Sequence, residues 1–226
     1  MNQTVNTPAK SAKEATYQRL LDDILKLEYK PGEKISEKEI SEKYEVSRTP
    51  VREAFQQLAK EGLLQIYPQK GTVVSMIDLE LVEEARFLRE QMEIAVLKLA
   101  CKQFPQEKLA ELEMNIKIQK LYLEERDFEK IFELDEAFHR TIFDGCGKLR
   151  IWQWIQQINI HFNRIRVLRL AANVHWNDIY KQHCEILEAI QQQKVDQAEK
   201  LIRTHLTQVL FDKEELRTKY PHYFKG

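Results

Sequence analysis

Four ionisable side chains interrupt the apolar faces of segments that have helical periodicity. Asp135 and His139 lie one helical turn apart within a stripe of phenylalanine and isoleucine residues, and His183 and His205 lie within similar stripes of two later segments. Burying such a group without a partner is costly. Each of the four therefore needs a partner inside the fold.

A single divalent cation would satisfy all four groups together. An aspartate and a histidine at positions i and i+4, with one histidine from each of two other helices, form a workable ligand set for Zn, Ni, Mn or Fe(II). The alternative is that each group is hydrogen-bonded to its own neighbour in the core, which requires four separate explanations. We predict one metal ion per chain, held by Asp135, His139, His183 and His205.

A second group of residues has the chemistry for reading DNA. Residues 46–55, VSRTPVREAF, contain residues suited to the start of a helix, with Val51 and Phe55 on one side and Arg48 and Arg52 on the other. Arginine at the exposed N-terminal end of a helix can pair bidentately with guanine in the major groove. An ordinary surface helix with two arginines would give the same pattern.

The flanking residues favour the DNA-reading alternative. Apolar spacing predicts a helix at about 15–27, and Ser36 with Glu39 forms a capping box before a second, short helix. The outward helix is predicted at 48–60, and two extended segments at 63–67 and 72–76 are joined by a turn. This order predicts a winged helix-turn-helix domain over residues 13–78, after a mobile polar tail at 1–12.

The motifs of this domain resemble the DNA-binding domain of the GntR family of bacterial transcription regulators. They are PG at 31–32, SRTPVREA at 47–54, EGL at 61–63 and GTVV at 71–74. The resemblance implies that Arg48 and Arg52 contact bases or backbone, that Thr49 contacts phosphate, and that Gly71 brings the wing tip to the minor groove. The sequence departs from the family at the wing tip, where Gln69-Lys70 replaces the usual arginine. The predicted DNA-binding residues are Lys38, Ser47, Arg48, Thr49, Arg52, Lys70 and Gly71.

The rest of the chain, from residue 79 to 226, is predicted to be an all-helical domain. Amphipathic segments follow one another with almost no strand signal, so the fold class is mainly α. In the first segment the predicted inward residues are Leu81, Ala85, Leu88, Met92, Val96 and Leu99. The predicted helices span about 79–102, 106–125, 128–144, 149–170, 177–193 and 196–220.

The helical domain resembles the FCD effector domain of the FadR subfamily of GntR regulators. The resemblance rests on REQME at 89–93, DEAFH at 135–139, HCEILEAI at 183–190 and HL at 205–206. It implies the same four metal ligands, a small carboxylate bound beside the metal, and Arg89 in the wall of the cavity. An ion pair between Arg89 and Glu93 is the alternative. At 145–148, GCGK replaces an asparagine of many relatives, so we expect the cavity wall to differ there.

Composition limits the class of protein but does not identify it. The net charge is −1, and residues 10–78 contain equal numbers of basic and acidic side chains, so charge gives no support to DNA binding. No apolar run approaches the length of a membrane span, no signal peptide is evident, and the three cysteines are widely spaced. These features predict a cytoplasmic protein.

These observations lead to the prediction of a homodimeric repressor. It would bind a palindromic DNA operator under the control of a small organic acid at the metal site. One alternative keeps the regulator but makes the metal purely structural, and another is a metal-dependent hydrolase. Against the hydrolase, no further buried Glu or Lys is evident as a general base, and a fused DNA-binding domain has no use there. The chain is therefore predicted not to be an enzyme.

Overall fold

The structure, a computed structural model, describes residues 11–172, 176–211 and 213–225. The chain divides into two compact units. One contains residues 11–77 and 222–225, and the other contains the described residues between 78 and 221. Most of the predicted N-terminal tail lies outside the described residues, and at its end Ser11 and Ala12 begin the first helix.

The first unit is a winged helix-turn-helix, as predicted. Its sheet is antiparallel with strand order β1-β3-β2, and the β2–β3 hairpin forms the wing. Strand β1 is absent from the sequence prediction because two residues are too short for a periodic signal. The elements are α1 (Ala12–Leu25), β1 (Lys34–Ile35), α2 (Glu37–Tyr44), α3 (Arg48–Lys60), β2 (Leu64–Tyr67) and β3 (Gly71–Val74).

Local capping residues fix where the helices of this unit begin. Ser36 and Glu39 form the predicted capping box at the start of α2, with the Glu39 N–H donating to Ser36 Oγ at 3.2 Å. Helix α3 begins at Arg48 as predicted, although the Ser47 side chain makes no capping hydrogen bond. The apolar face of α3, which includes Val51 and Phe55, is buried, so the opposite face is left to solvent.

The C-terminal residues belong to the first unit. The Ile77 N–H donates to the Tyr223 carbonyl at 2.8 Å, and the Lys225 N–H donates to the Ile77 carbonyl at 2.9 Å. The Phe224 side chain is buried. The helical pattern instead predicts one helical domain for all residues from 79 to 226. Backbone pairing of a short segment leaves no side-chain pattern that could have shown this.

The second unit is a helical bundle, as predicted. Helix α5 packs against α6 and α9, α10 packs against α4 and α9, and α4 packs against α8. Within the described residues, no helix is both long and apolar enough to cross a membrane. The helices are α4 (Leu79–Ala100), α5 (Gln106–Glu125), α6 (Phe128–Gly145), α7 (Leu149–Ile158), α8 (Ile160–Ala172), α9 (Trp176–Gln191), α10 (Val195–Phe211) and α11 (Lys213–Lys219).

Two predictions for the bundle differ from the structure. The single helix expected at 149–170 is two helices, because Asn159 has ψ 7° and turns the chain between α7 and α8. On α4 the inward stripe was partly wrong, since Leu81 and Leu99 are 44% and 42% exposed. The buried face of α4 instead includes Arg89 and Glu93, whose charges pair with each other within the bundle.

Candidate metal centre and nucleic-acid interface

Three helices bring the four predicted metal ligands together. Helix α6 contributes Asp135 and His139, α9 contributes His183, and α10 contributes His205. All four side chains are buried, and one potential ligand atom from each lies within 4.8 Å of the others. On each of the three helices, the apolar residues next to these ligands pack into the core of the bundle. The ligand atoms lie on the same helix faces and therefore meet in that core.

Hydrogen bonds on the outer nitrogen of each imidazole orient its inner nitrogen. His139 Nδ1 lies 2.5 Å from Glu93 Oε2, while His183 Nδ1 and His205 Nδ1 lie 2.9 Å from the amide oxygens of Gln119 and Gln182. Because these oxygens accept hydrogen bonds, each Nδ1 carries the hydrogen. In the neutral imidazole Nε2 is then left with a lone pair for a metal, the arrangement in which buried groups behind metal ligands fix the tautomer.

The inner nitrogens have no adequate partner within the protein. His183 Nε2 is buried and makes no hydrogen bond. His139 Nε2 and His205 Nε2 lie 3.1 Å apart, so two lone pairs face each other when both imidazoles are neutral. Two nitrogens bound to one metal at about 2.1 Å would be roughly 3 Å apart. The donor set therefore fits a divalent cation better than four separate hydrogen bonds.

Asp135 is the one anionic group among the four possible ligands. Its Oδ1 lies 3.6 Å from His183 Nε2, and its Oδ2 lies 3.9 Å from His139 Nε2. Burial alone would raise the pKa of Asp135, but the charge of Arg166 beside it holds the pKa well below its ordinary value. The carboxylate is therefore ionised and available as a ligand.

Burial keeps two of the histidines in the form that binds metals. It lowers the pKa of His183 to about 3, because the charged imidazolium is disfavoured away from water. Burial also lowers the pKa of His205 well below its ordinary value, and the neighbouring His183 and His139 act in the same direction. Both imidazoles are neutral near pH 7, as metal coordination requires.

Arg89 satisfies both of the alternatives considered for it. Its Nε donates to Glu93 Oε1 at 2.6 Å, so the ion pair exists. Its Nη2 has no hydrogen-bond partner and no access to water, since only 1% of the residue is exposed. Burial lowers the pKa of Arg89, but Glu93 and other carboxylates raise it more strongly, so the guanidinium stays charged. One nitrogen is thus left to bind an anion.

A small cavity of about 10 Å³, roughly the space of one water molecule, lies beside the cluster. Three guanidinium groups and one carboxylate are among the side chains in its wall, which favours an anionic ligand. The residues at 145–148 do not line this cavity. Gly145, Cys146 and Lys148 line a separate cavity of about 650 Å³ instead, so the expectation that they alter this wall is wrong. The lining residues are Arg89, Asp135, Phe162, Arg166, Arg169, Ile179, His205 and Leu206.

In the first unit, the N-terminal end of α3 exposes the residues predicted to read DNA. Ser47, Arg48 and Thr49 are exposed. Arg52 is also exposed, but its guanidinium forms an ion pair with Glu37 of α2, with Nη2 and Oε2 3.1 Å apart. This hydrogen bond raises the pKa of Arg52. Because exposed ion pairs are weak, Arg52 can exchange Glu37 for a base or a phosphate.

The remaining predicted DNA contacts lie on α2 and on the wing. Lys38 is exposed on α2, 3.9 Å from Glu42, and leaves its charge accessible to a phosphate. Lys70 and Gly71 are exposed at the tip of the β2–β3 hairpin. Gly71 has φ +105°, a conformation that side chains rarely adopt, so a substitution there would strain the tip.

Family models match both units. Residues 12–74 match the model for bacterial regulatory proteins of the gntR family, and residues 84–208 match the FCD domain. The chain is also 30% identical to the HTH-type transcriptional repressor RspR of Escherichia coli K12, over 98% of this chain and 97% of that protein. This chain is a GntR-family transcription regulator with an FCD domain.

Other relatives and a solved structure agree with this assignment. An uncharacterised HTH-type transcriptional regulator of Streptomyces ambofaciens is 36% identical, with 92% of this chain and 87% of that protein covered. The fold is similar to that of E. coli McbR/YncC, with a TM-score of 0.77 and 19% identity over 92% of this chain and 98% of that one. The regulator belongs with transcription factors rather than enzymes.

The sequence pattern did not reveal the residues that surround the four possible metal ligands. No further buried Glu was expected, yet Glu93 is buried beside His139. It faces Nδ1, on the side of the ring away from the cluster, and therefore orients the imidazole. Gln119 was detectable, because it falls in the inward stripe of α5 with Leu112 and Ile116. Nothing in the periodicity of the regulator's sequence marked Arg166.

Proposed function

We propose that this GntR-family regulator is a metal-dependent repressor of the FadR subfamily, controlled by a small organic acid. The observation that carries the proposal is the convergence of three imidazole Nε2 atoms and Asp135 on one point, where His183 Nε2 makes no hydrogen bond and the other two Nε2 atoms face each other. The similar E. coli protein RspR is named a repressor, which supports repression here.

In this proposal, Asp135, His139, His183 and His205 hold one divalent cation. Zn, Ni, Mn and Fe(II) all suit three imidazoles and a carboxylate. When bound, the metal supplies positive charge and open coordination positions to a carboxylate ligand. Arg89 orients the same ligand through its unpartnered Nη2, because a guanidinium binds carboxylates in a defined geometry.

The DNA-binding half of the proposal assigns residues to the two grooves. Arg48, Thr49 and Arg52 would enter the major groove with Ser47, and Lys38 would contact phosphate. The wing tip, with Lys70 and Gly71, would reach the minor groove. Because its target is bacterial DNA, we assign the regulator to the cytoplasm.

A gel-shift screen of the promoter upstream of the regulator's own gene tests this function. We expect the metal-loaded protein to bind one fragment tightly, and one member of a panel of small organic acids to change that affinity at least about tenfold, within the usual range of allosteric coupling. The control is protein stripped with a chelator and dialysed. If the stripped protein responds to the acid as fully as the loaded protein, the metal is purely structural.

A palindromic operator requires a two-fold symmetric protein, so we also propose a homodimer. The helical unit exposes large apolar side chains suited to a contact, including Phe87 at 59% and Trp154 at 64%. We predict that a fragment of residues 78–221 sediments as a dimer, since the compact helical unit contains this surface. A monomeric fragment alongside a dimeric full-length protein would instead assign the contact to the winged unit.

A further inference from the structure

Arg166 of α8 contacts the carboxylate that the metal would need. Its Nη2 donates to Asp135 Oδ2, and its Nη1 donates to Glu136 Oε1 and, at 3.2 Å, to Asn163 Oδ1. Only 8% of Arg166 is exposed. The guanidinium therefore neutralises the charge of Asp135.

The contact engages an oxygen that faces the histidine cluster. Asp135 Oδ2, which accepts from Arg166, is also the oxygen 3.9 Å from His139 Nε2. A guanidinium and a divalent cation beside one carboxylate repel each other, and this repulsion is strong where water is excluded. The hydrogen bond engages Oδ2, whereas Oδ1 lies 3.6 Å from His183 Nε2, so a metal bound through Oδ1 and the guanidinium on Oδ2 would share one carboxylate and weaken each other's binding to Asp135.

If Arg166 moves away, its second carboxylate partner, Glu136, still has other hydrogen-bond donors. Glu136 also accepts from Gln156 Nε2 at 2.8 Å and from Arg89 Nη1 at 3.4 Å. Arg166 also lies in the wall of the small cavity, together with Arg89 and Arg169. Of the side chains lining that cavity, Asp135 is the one carboxylate, and Arg166 donates to it through Nη2, so a metal that takes Asp135 leaves this nitrogen of Arg166 facing the cavity without its anion.

We propose that Arg166 is a switchable cation that holds Asp135 in the metal-free protein and binds the carboxylate of the effector once a metal has taken Asp135. This inference rests on the proposed metal-dependent function and adds the order of events. The metal binds first and releases the guanidinium, and the acid then binds to both cations. Metal and acid thus raise each other's affinity, because coupling between two sites is reciprocal.

The decisive variant is Arg166→Gln, which removes the charge and leaves a shorter, polar side chain. We expect Ni²⁺ to bind the variant about tenfold more tightly than the wild type. The reason is that the charged hydrogen bond from Arg166 to Asp135, which opposes metal binding, is lost. Ni²⁺ affinity is measured by competition with a chromophoric chelator. In the same variant, thermal stabilisation of the Ni²⁺-loaded protein by acetate, malonate, succinate or citrate should fall at least severalfold.

Arg86→Gln is the matched control. Arg86 is similarly buried and is also paired with two carboxylates, Glu83 and Glu90, but it does not line the cavity. Its loss should leave Ni²⁺ affinity unchanged. If Arg166→Gln binds Ni²⁺ equally or more weakly, Arg166 only supports Asp135 and the inference is overturned.

A measurement on the wild-type protein tests the same proposal if the Arg166→Gln variant does not fold. Nitrogen-15 NMR of the arginine Nε groups should show one buried guanidinium changing its environment when Zn²⁺ is added, and again when the acid is added. If Zn²⁺ binds but no guanidinium signal changes, the proposed role of Arg166 is wrong and the metal-dependent function still stands. A wild-type protein that binds neither Ni²⁺ nor Zn²⁺ would instead remove the proposed metal-dependent function.

Discussion

Protein purified without chelator should contain close to one divalent ion per chain, and the His183→Ala, His205→Ala double variant should contain almost none. The variant keeps only Asp135 and His139, and two ligands do not hold a divalent ion firmly at a site that normally uses four. Elemental analysis of the dialysed proteins measures the ratio directly.

The same variant should lose the stabilisation that the metal gives. A ligand present at a thousand times its dissociation constant adds about 4 kcal/mol to the free energy of unfolding. Added Ni²⁺ should therefore raise the melting temperature of the wild type by several degrees and leave the variant unchanged. Candidate organic acids should likewise stabilise only the wild type, because their site needs the metal.

His161→Ala is the control for this experiment. His161 is another buried imidazole of the helical unit, and its Nδ1 accepts from the Asp78 N–H at 3.2 Å, away from the cluster. Its loss should lower stability without changing the metal content. Metal-free wild-type protein that still responds fully to its effector would refute a coupled metal and effector site.

The cluster of possible metal ligands could be predicted because each of its four residues is polar within an otherwise apolar helix face. A histidine within an apolar stripe is conspicuous, and Asp135 with His139 shows the helical spacing directly. The winged fold was predictable for a similar reason, since the Ser36 and Glu39 capping box and the apolar face of α3 are local signals. Each of these features is encoded within one or two turns of chain.

The features that escaped prediction depend on residues distant in the sequence. Arg166 and Asp135 are separated by 31 residues, and Glu93 and His139 by 46. Charged residues within an amphipathic helix are ordinarily assigned to its solvated face. The sequence pattern therefore predicted a buried face of α4 that includes Leu81 and Leu99. Only the packed bundle shows that Arg89 and Glu93 neutralise each other and can be buried.

Sequence-specific DNA binding should depend on Arg48 and Arg52 at the N-terminal end of α3. Each change to alanine is expected to weaken operator binding roughly 5- to 150-fold, as for the loss of an arginine contact with guanine. Both side chains are exposed, so thermal unfolding and dimerisation should barely change. Gel shifts at one fixed salt concentration measure the effect, because affinity for DNA falls steeply with salt.

Two further variants separate base reading from general charge. Lys60→Ala removes an exposed positive charge from the last turn of the same helix, so it should weaken binding far less. Glu37→Gln weakens the ion pair that holds Arg52 in the DNA-free protein, and affinity for the operator should stay equal or rise. If the Arg48→Ala, Arg52→Ala double variant binds the operator as tightly as the wild type, α3 is not the recognition helix.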